Sequence, residues 1–216
     1  MPDDTAPDYT LRSEAELRQI FGHAEGLAVT KSLRRLDRHC RDFIARSPFL
    51  VIGTMSPDGR ADVSPRGDPA GFVQVLDDTT LAIPDRPGNN RLDTLSNIMA
   101  NPSVGLIFLI PGFDDTLRVN GKATIVRDPE VLARAVVNGK EPKVAIRVAV
   151  EETFLHCAKA FKRSRLWDPA ARVDRKVMPS LGRMILEQTS ATGRTDDSTA
   201  RETDAWIEED YKKGLY

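Results

Sequence analysis

Residues 49–102, which read FLVIGTMSPDGRADVSPRGDPAGFVQVLDDTTLAIPDRPGNNRLDTLSNIMANP, contain the patterns that decide the fold. Residues 49–55 are apolar and partly β-branched, which favours a buried strand. The Ser-Pro-Asp-Gly sequence after them is a strong turn signal, because proline presets its φ and glycine accepts a positive one. Residues 60–64 are therefore expected to return antiparallel, and residues 71–76 and 80–83 predict a second hairpin. Beyond the turn at residues 84–90, apolar residues at helical spacing predict a helix.

The flanking segments extend this pattern in both directions. Residues 104–110 and 117–126 predict strands, the second with a bend at Gly121, and residues 143–150 alternate as in a half-buried strand. Residues 13–20, 31–45, 151–162 and a segment after Pro179 predict helices, and residues 190–204 predict a loop. Six or more short antiparallel strands with helices between them favour an α+β fold built on a barrel over a doubly wound sheet.

Composition limits the classes of function. The 216 residues are 40% hydrophobic and 29% charged, with a net charge of −1, which predicts no general affinity for nucleic acid or for an anionic membrane. Two isolated cysteines and an acidic, proline-containing N-terminus predict a reduced, cytoplasmic protein. No apolar run approaches the roughly 20 residues that a membrane-spanning helix needs.

Motifs for built-in catalysis are absent from the sequence. The three histidines lack the spacing of metal ligands, and there is no P-loop, no GxGxxG motif after a strand and no GxSxG motif. No metal site is predicted, and the catalytic residues stay unknown. This absence favours chemistry carried by a bound cofactor.

The first candidate binding element lies at residues 64–68, just past a predicted strand. Proline there removes a strand hydrogen bond, and Arg66 can reach out of the sheet towards a ligand. The alternative is a surface loop in which Arg66 pairs with Asp68.

The second element is the turn at residues 85–91. It combines Arg86 and Arg91 with Asn89, Asn90 and free backbone N–H groups at a helix start, all of which are phosphate donors. The alternative is a solvated turn in which one of the asparagines caps the helix.

The third element is a cationic segment at residues 159–169 that contains Lys162, Arg163 and Trp167. It is either a helix C-terminus with favourable cations and a tethering aromatic residue, or a lid over a planar anionic ligand.

These elements occur in the order typical of a known family. The run VSPRGDPAGFVQVLDDTTLAIPDRPGNNRLDTLSNIMANPSVGLIFLIPG, followed by LRVNGKA and HCAKAFKRSRLWDP, resembles the flavin split-barrel proteins related to pyridoxamine 5'-phosphate oxidase, and more narrowly their branch of FMN-dependent enzymes. The resemblance covers residues 43–169. It implies an α+β fold with a six-stranded antiparallel split β-barrel and peripheral helices. It also implies a homodimer that binds FMN in two equivalent sites at the subunit interface.

The resemblance also implies which residues bind the cofactor. Those along the isoalloxazine and ribityl chain are Val63, Ser64 and Arg66. Those at the phosphate are Arg86, Asn89, Asn90 and Arg91. The residue that reaches the flavin from the partner subunit is Asn120, and those over the flavin are Lys162, Arg163, Ser164 and Trp167.

Departures from the family narrow the predicted function. True pyridoxamine phosphate oxidases carry a C-terminal Trp and Arg motif, whereas this sequence has DAWIEEDYKKGLY there, so pyridoxamine phosphate is not the expected substrate. The interpretation is an FMN-dependent oxidoreductase that acts on an unidentified small molecule. The alternatives are a flavin-binding or storage module without turnover, or a split-barrel protein that uses haem or deazaflavin. The expected organisation is an N-terminal tail with helices at 1–42, the FMN-binding domain at 43–169 and a helical extension at 170–216.

Overall fold

The computed structural model of the chain describes residues 9–216. The chain divides into two compact units, Met1–Ser32 and Leu33–Tyr216. Within the described part of the first unit, α1 (Glu14–Phe21) and α2 (Leu27–Thr30) form. The Ser13 hydroxyl accepts a hydrogen bond from the Glu16 N–H, which begins α1 as predicted. Among residues 9–216, no helix is long and apolar enough to cross a membrane.

The second unit is built on one antiparallel sheet. Its strands are β1 (Phe49–Met55), β2 (Ala61–Gly67), β3 (Gln74–Val75), β4 (Thr80–Pro84), β5 (Ser103–Leu109), β6 (Thr116–Val126) and β7 (Ala145–His156). They lie in the order β2-β1-β5-β6-β7-β4-β3, and every neighbouring pair is antiparallel. The described chain is thus α+β with an open sheet. The sheet has seven strands where six were expected, and β3 contributes only two residues.

The second unit, Leu33–Tyr216, also contains six α-helices. They are α3 (Arg38–Arg46), α4 (Asp93–Ala100), α5 (Pro129–Ala133), α6 (Lys159–Ser164), α7 (Leu181–Thr189) and α8 (Asp197–Gly214). Alternate residues of the strands form a continuous core in which Leu50, Phe108 and Ile146 are fully buried. The buried amide of Asn97 on α4 donates a 3.1 Å hydrogen bond to the Thr54 hydroxyl of β1. This bond fixes α4 against the strand that neighbours β2.

The helix predicted at residues 31–45 is shorter than expected, because α3 begins only at Arg38. The Asp37 carboxylate caps it by accepting a 2.8 Å hydrogen bond from the Cys40 N–H. Leu33 lies outside the helix because it forms an isolated antiparallel bridge with Thr153. Strand pairing therefore overrides the helical spacing of the first apolar residues.

The helix predicted at residues 151–162 was wrong over its first half, because β7 continues to His156 and only Lys159–Ser164 is helical. The long β6 provides a pairing partner along this whole segment, with Thr116 opposite His156. Such pairing outweighs local propensity. The loop predicted at residues 190–204 was also too long, since Asp196 caps α8 and the helix begins at Asp197.

The bend predicted at Gly121 is confirmed as a shift in the register of β6 against β7, between Asn120 and Gly121. A Cβ atom on Gly121 would lie 2.1 Å from the carbonyl oxygen of Ala149. Real Cβ atoms do not approach a carbonyl oxygen so closely, so only glycine fits where the two backbones meet.

Candidate functional site

Two ion pairs join the end of β2 to the segment after β4. The β2 side supplies the cation of one pair and the anion of the other. The guanidinium of Arg66, on β2, lies 3.8 Å from the carboxylate of Asp85, which follows β4. Asp68 follows β2, and its carboxylate accepts a 2.6 Å hydrogen bond from Arg86 Nε. Four other strands separate β2 from β4 in the sheet order, so these side chains connect segments that no backbone ladder joins. We call the four residues the seam.

Arg66 has an unused hydrogen-bond donor at the seam. Its Nη1 donates to the Ser64 hydroxyl and, at 2.9 Å, to the Pro65 carbonyl oxygen, while Nη2 faces Asp85. Its Nε is buried and has no acceptor in the described part of the chain. A buried N–H group without an acceptor costs free energy. Arg66 Nε is therefore suited to bind an oxygen or nitrogen atom of a ligand.

The carboxyl of Asp85 is partly buried beside Arg66. Burial raises the pKa of the Asp85 carboxyl, and the positive charge of Arg66 opposes this only in part. The guanidinium of Arg66 is thus the group at this end of the seam that suits an anionic or electron-rich ligand.

The second seam pair is more deeply buried, with side-chain exposures of 14% for Arg86 and 1% for Asp68. Arg86 Nη2 also donates a 2.8 Å hydrogen bond to the carbonyl oxygen of Ala135. The ring of Tyr216 lies 5.4 Å from the Arg86 guanidinium carbon, and its hydroxyl donates to the other Asp68 oxygen at 2.8 Å. Arg86 is thus bound into the fold on two sides, and its predicted contact with a phosphate stays a prediction.

The turn before α4 presents donors to solvent. Asn90 and Leu92 have positive φ angles of 58° and 59°, and Leu92 is the N-cap of α4, with no side-chain hydrogen bond to the first turn. Asn89 Oδ1 accepts a 3.1 Å hydrogen bond from the Arg91 backbone N–H, so neither asparagine caps the helix. The Arg91 side chain is 72% exposed, and its Nε pairs with Asp93 at 2.7 Å. An uncapped helix start beside an exposed arginine suits an anion.

Asn120 lies on the central strand β6, at the register shift, and its amide donates a 2.8 Å hydrogen bond to the Glu152 carboxylate of β7. Across the other ladder it faces Gly105 of β5, where a Cβ atom would lie 3.4 Å from Asn120 Oδ1. The amide is therefore held in one orientation on its own sheet, and β1 and β5 separate it from β2 in the strand order.

The cationic segment around α6 packs on a different loop. The indole N–H of Trp167 donates a 2.7 Å hydrogen bond to the Phe113 carbonyl oxygen, and its ring stacks on Phe161 at 5.9 Å. Lys162 and Arg163 lie in the last turn of α6 and are exposed. The Ser164 hydroxyl donates to the Phe161 carbonyl oxygen at 3.1 Å. Trp167 thus tethers this segment to the loop between β5 and β6, and its expected place over a flavin stays a prediction.

The structure brings only some of the predicted site residues together. Ser64 and Arg66 meet at the seam, and Arg86 lies in the same seam, while Val63 is a 68% exposed residue of β2. Sequence reasoning missed three participants, Asp68 as the partner of Arg86, Asp85 and Tyr216. The sequence did contain a signal for Asp68 and Asp85. Arg66 and Asp68 stand two positions apart in one segment, and the oppositely charged Asp85 and Arg86 are adjacent in another.

A family model described as pyridoxamine 5'-phosphate oxidase matches residues 36–157. This is more than half of the 216 residues, and the chain belongs to that family. The matched region contains the seam, the turn before α4 and Asn120, and it ends before α6. The family predicted from the sequence motifs is thereby confirmed.

Other comparisons give more distant similarities. No curated protein matches the chain. HupZ of Group A Streptococcus shares 19% identity over 55% of this chain and 92% of its own, with a TM-score of 0.46. An FAD binding protein of Mycobacterium smegmatis shares 20% identity over 57% of this chain and 97% of its own, with a TM-score of 0.41. An F420 reductase shares 20% identity over 54% of this chain and 94% of its own, with a TM-score of 0.39.

Proposed function

We propose that the chain binds FMN at the seam and acts as an FMN-dependent oxidoreductase on a small molecule. The observation that carries this proposal is the buried, unpaired Nε of Arg66, at the point where β2 meets the segment after β4. A flavin ring offers carbonyl oxygen and ring nitrogen acceptors to such a donor. Membership in the pyridoxamine 5'-phosphate oxidase family supports the same cofactor class.

In this proposal, Val63, Ser64 and Arg66 of β2 line the isoalloxazine and ribityl chain. The bound FMN supplies the hydride-transfer chemistry. The chain's own residues orient it, and Arg66 places a positive charge beside the ring, where charge develops on reduction.

The phosphate would lie at the turn before α4. Asn89, Asn90 and Arg91 and the uncapped N–H groups of α4 supply its donors. The pair between Arg91 and Asp93 is exposed on both sides, so it contributes little and exchanges readily for a phosphate contact. Arg86 lies at the start of the same segment, where it pairs with Asp68.

We also propose that two copies of the chain complete each site. The seam would close a split barrel of the six longer strands, to which β3 is a short addition. Asn120 would reach the flavin of the partner subunit. Lys162, Arg163, Ser164 and Trp167 would lie over the ring.

The test is the visible spectrum of the purified chain with and without added FMN. A bound flavin shows the two visible and near-ultraviolet bands of FMN, shifted from those of the free cofactor, whereas bound haem or deazaflavin gives a different spectrum. If the protein is an oxidoreductase, NAD(P)H or a substrate then reduces the bound flavin under anaerobic conditions, and the visible flavin absorbance is lost. A flavin that binds but is reduced by none of the donors tried would favour the storage module, and a protein that takes up haem in place of FMN would overturn the proposal.

A further inference from the structure

Tyr216 lies beyond α8, yet its side chain completes the seam. Its hydroxyl donates a 2.8 Å hydrogen bond to Asp68 Oδ1, and its ring lies 5.4 Å from the Arg86 guanidinium carbon. Its carbonyl oxygen accepts a 2.7 Å hydrogen bond from Lys140 Nζ, so the residue is held at both ends. Tyr216 is therefore held by the seam and by Lys140 together.

The buried carboxylate of Asp68 explains why Tyr216 matters there. Its side chain is 1% exposed, and its two oxygens are divided between Arg86 Nε and the Tyr216 hydroxyl. The hydrogen bond to the carboxylate raises the pKa of Tyr216, so the hydroxyl keeps its proton and remains a donor. Without that donor, one oxygen of a buried charge would have no partner among these residues.

The chain of contacts runs on into the turn before α4. The Asp68 carboxylate accepts hydrogen bonds from the Tyr216 hydroxyl and from Arg86 Nε. Arg86 lies at the start of the segment that ends with Arg91. The Asp68 backbone N–H also donates a 3.1 Å hydrogen bond to the Pro48 carbonyl oxygen, so Asp68 is a fixed point to which Arg86 is attached. Because the Asp68 backbone is held in this way, a change at Tyr216 acts on the Asp68 side chain and, through it, on Arg86 at the start of the turn.

We propose that Tyr216 is a positioning residue for the phosphate end of the cofactor site, acting through Asp68 and Arg86. This inference rests on the proposed function. Tyr216 lies outside residues 36–157, so nothing in the family match assigns it a role. At the isoalloxazine end, Arg66 donates its hydrogen bonds to Ser64 and Pro65, so these contacts do not pass through Tyr216.

We therefore expect a change at Tyr216 to alter the affinity for FMN relative to that for riboflavin, which differs from FMN only in lacking the phosphate. Removing the Tyr216 hydroxyl loosens the turn, so FMN should bind more weakly while riboflavin, which lacks the phosphate, binds as before. A residue that only stabilised the fold would affect both ligands alike or neither. The ratio of the two dissociation constants is thus the readout that separates positioning from general stability.

The experiment titrates FMN and riboflavin into wild type, Tyr216→Phe and Tyr216→Ala. For Tyr216→Phe we expect about fivefold weaker FMN binding, the usual scale of one lost hydrogen bond, and unchanged riboflavin binding. Tyr216→Ala should lose more, because the ring over Arg86 is also removed, and retention of the ring in Tyr216→Phe should restore part of that loss. Tyr211→Phe is the matched control, since Tyr211 lies on α8 and is 52% exposed.

Two results would overturn the inference. These are equal losses for FMN and riboflavin, or an unchanged FMN affinity in Tyr216→Phe. If Tyr216→Ala does not fold, Tyr216→Phe alone decides, because it removes a single oxygen. A wild-type chain that binds neither ligand would overturn the proposed function itself, which is a separate outcome.

Discussion

Replacing Arg86 by alanine tests whether the seam stabilises the fold. The substitution leaves Asp68, whose side chain is 1% exposed, without its 2.6 Å partner and with only the Tyr216 hydroxyl. Breaking a buried ion pair by removing one member costs about 3–5 kcal/mol. Because Arg86 is itself 14% exposed and part of its charge is solvated, we expect the lower end, a loss of about 3 kcal/mol in the free energy of unfolding.

Urea unfolding at neutral pH without added flavin measures this loss, so that ligand binding does not contribute. Arg60→Ala is the matched control, because the Arg60 side chain is 82% exposed and its ion pair with Asp58 lies at the surface. Its urea midpoint should equal that of the wild type. The double variant of Arg86→Ala and Asp68→Ala should lose much less than the sum of the two single losses, because the uncompensated charge is gone.

Two outcomes would refute this reasoning. One is an Arg86→Ala variant as stable as Arg60→Ala, which would show that the buried pair contributes nothing to the fold. The other is strict additivity in the double variant, which would show that Arg86 and Asp68 do not act on each other.

Three further substitutions test the phosphate turn, the sheet and the start of α3. Arg91→Ala should weaken FMN binding on the order of tenfold in a fluorescence titration, and Arg60→Ala should not, because only Arg91 adjoins the uncapped start of α4. Gly121→Ala should lower the free energy of unfolding in urea by about 3 kcal/mol, since the new Cβ would lie 2.1 Å from the Ala149 carbonyl oxygen. Asp37→Ala should cost about 1 kcal/mol at neutral pH, as for a lost N-cap. Because its hydrogen bond to the helix start lowers the pKa of Asp37 in the folded chain, this difference should be present above the unfolded pKa and disappear as the pH falls through the folded one.

Each of these has a result that would contradict it. Equal FMN affinities for the Arg91 and Arg60 variants would show that the phosphate lies elsewhere. A Gly121→Ala variant with the wild-type urea midpoint would show that β6 and β7 can separate without cost. A stability difference for Asp37→Ala that grows as the solution becomes acidic would show that the uncharged form is the one that caps α3.

Sequence patterns predicted those elements that depend on their own residues. The predicted strands at residues 49–55, 104–110 and 117–126 correspond to β1, β5 and β6, because each has a continuous or alternating apolar pattern bounded by turn residues. The start of α4 after the turn at residues 84–90 was also predicted, to within a residue or two.

Elements that depend on distant partners were predicted less well. Residues 151–156 have no strand pattern of their own, and they are a strand because β6 is long enough to pair with them. Residues 33–36 have helical spacing, yet the bridge between Leu33 and Thr153 keeps Leu33 extended. In both cases, pairing with a residue or strand distant in sequence determines the backbone conformation, which the local sequence pattern does not.

In the candidate site, too, the residues with a local sequence signal were predicted and the long-range contacts were not. The sequence pointed to Arg66 and to the turn that ends at Arg91, because arginines at strand ends and an asparagine-rich helix start have local meaning. It did not show that Asp68 pairs with Arg86, 18 positions away, or that Tyr216 completes the pair from 148 positions away. Those contacts exist only because the ends of β2 and β4 meet.

The most direct measurement of the central claim is a titration of FMN with the purified chain, followed by flavin fluorescence. We expect a saturable change with one FMN bound per chain, and a loss of that binding when Arg66 is replaced by alanine, since its buried Nε would no longer be present. FMN fluorescence that stays unchanged at every concentration of the chain, from a protein that is colourless as purified, would contradict the claim.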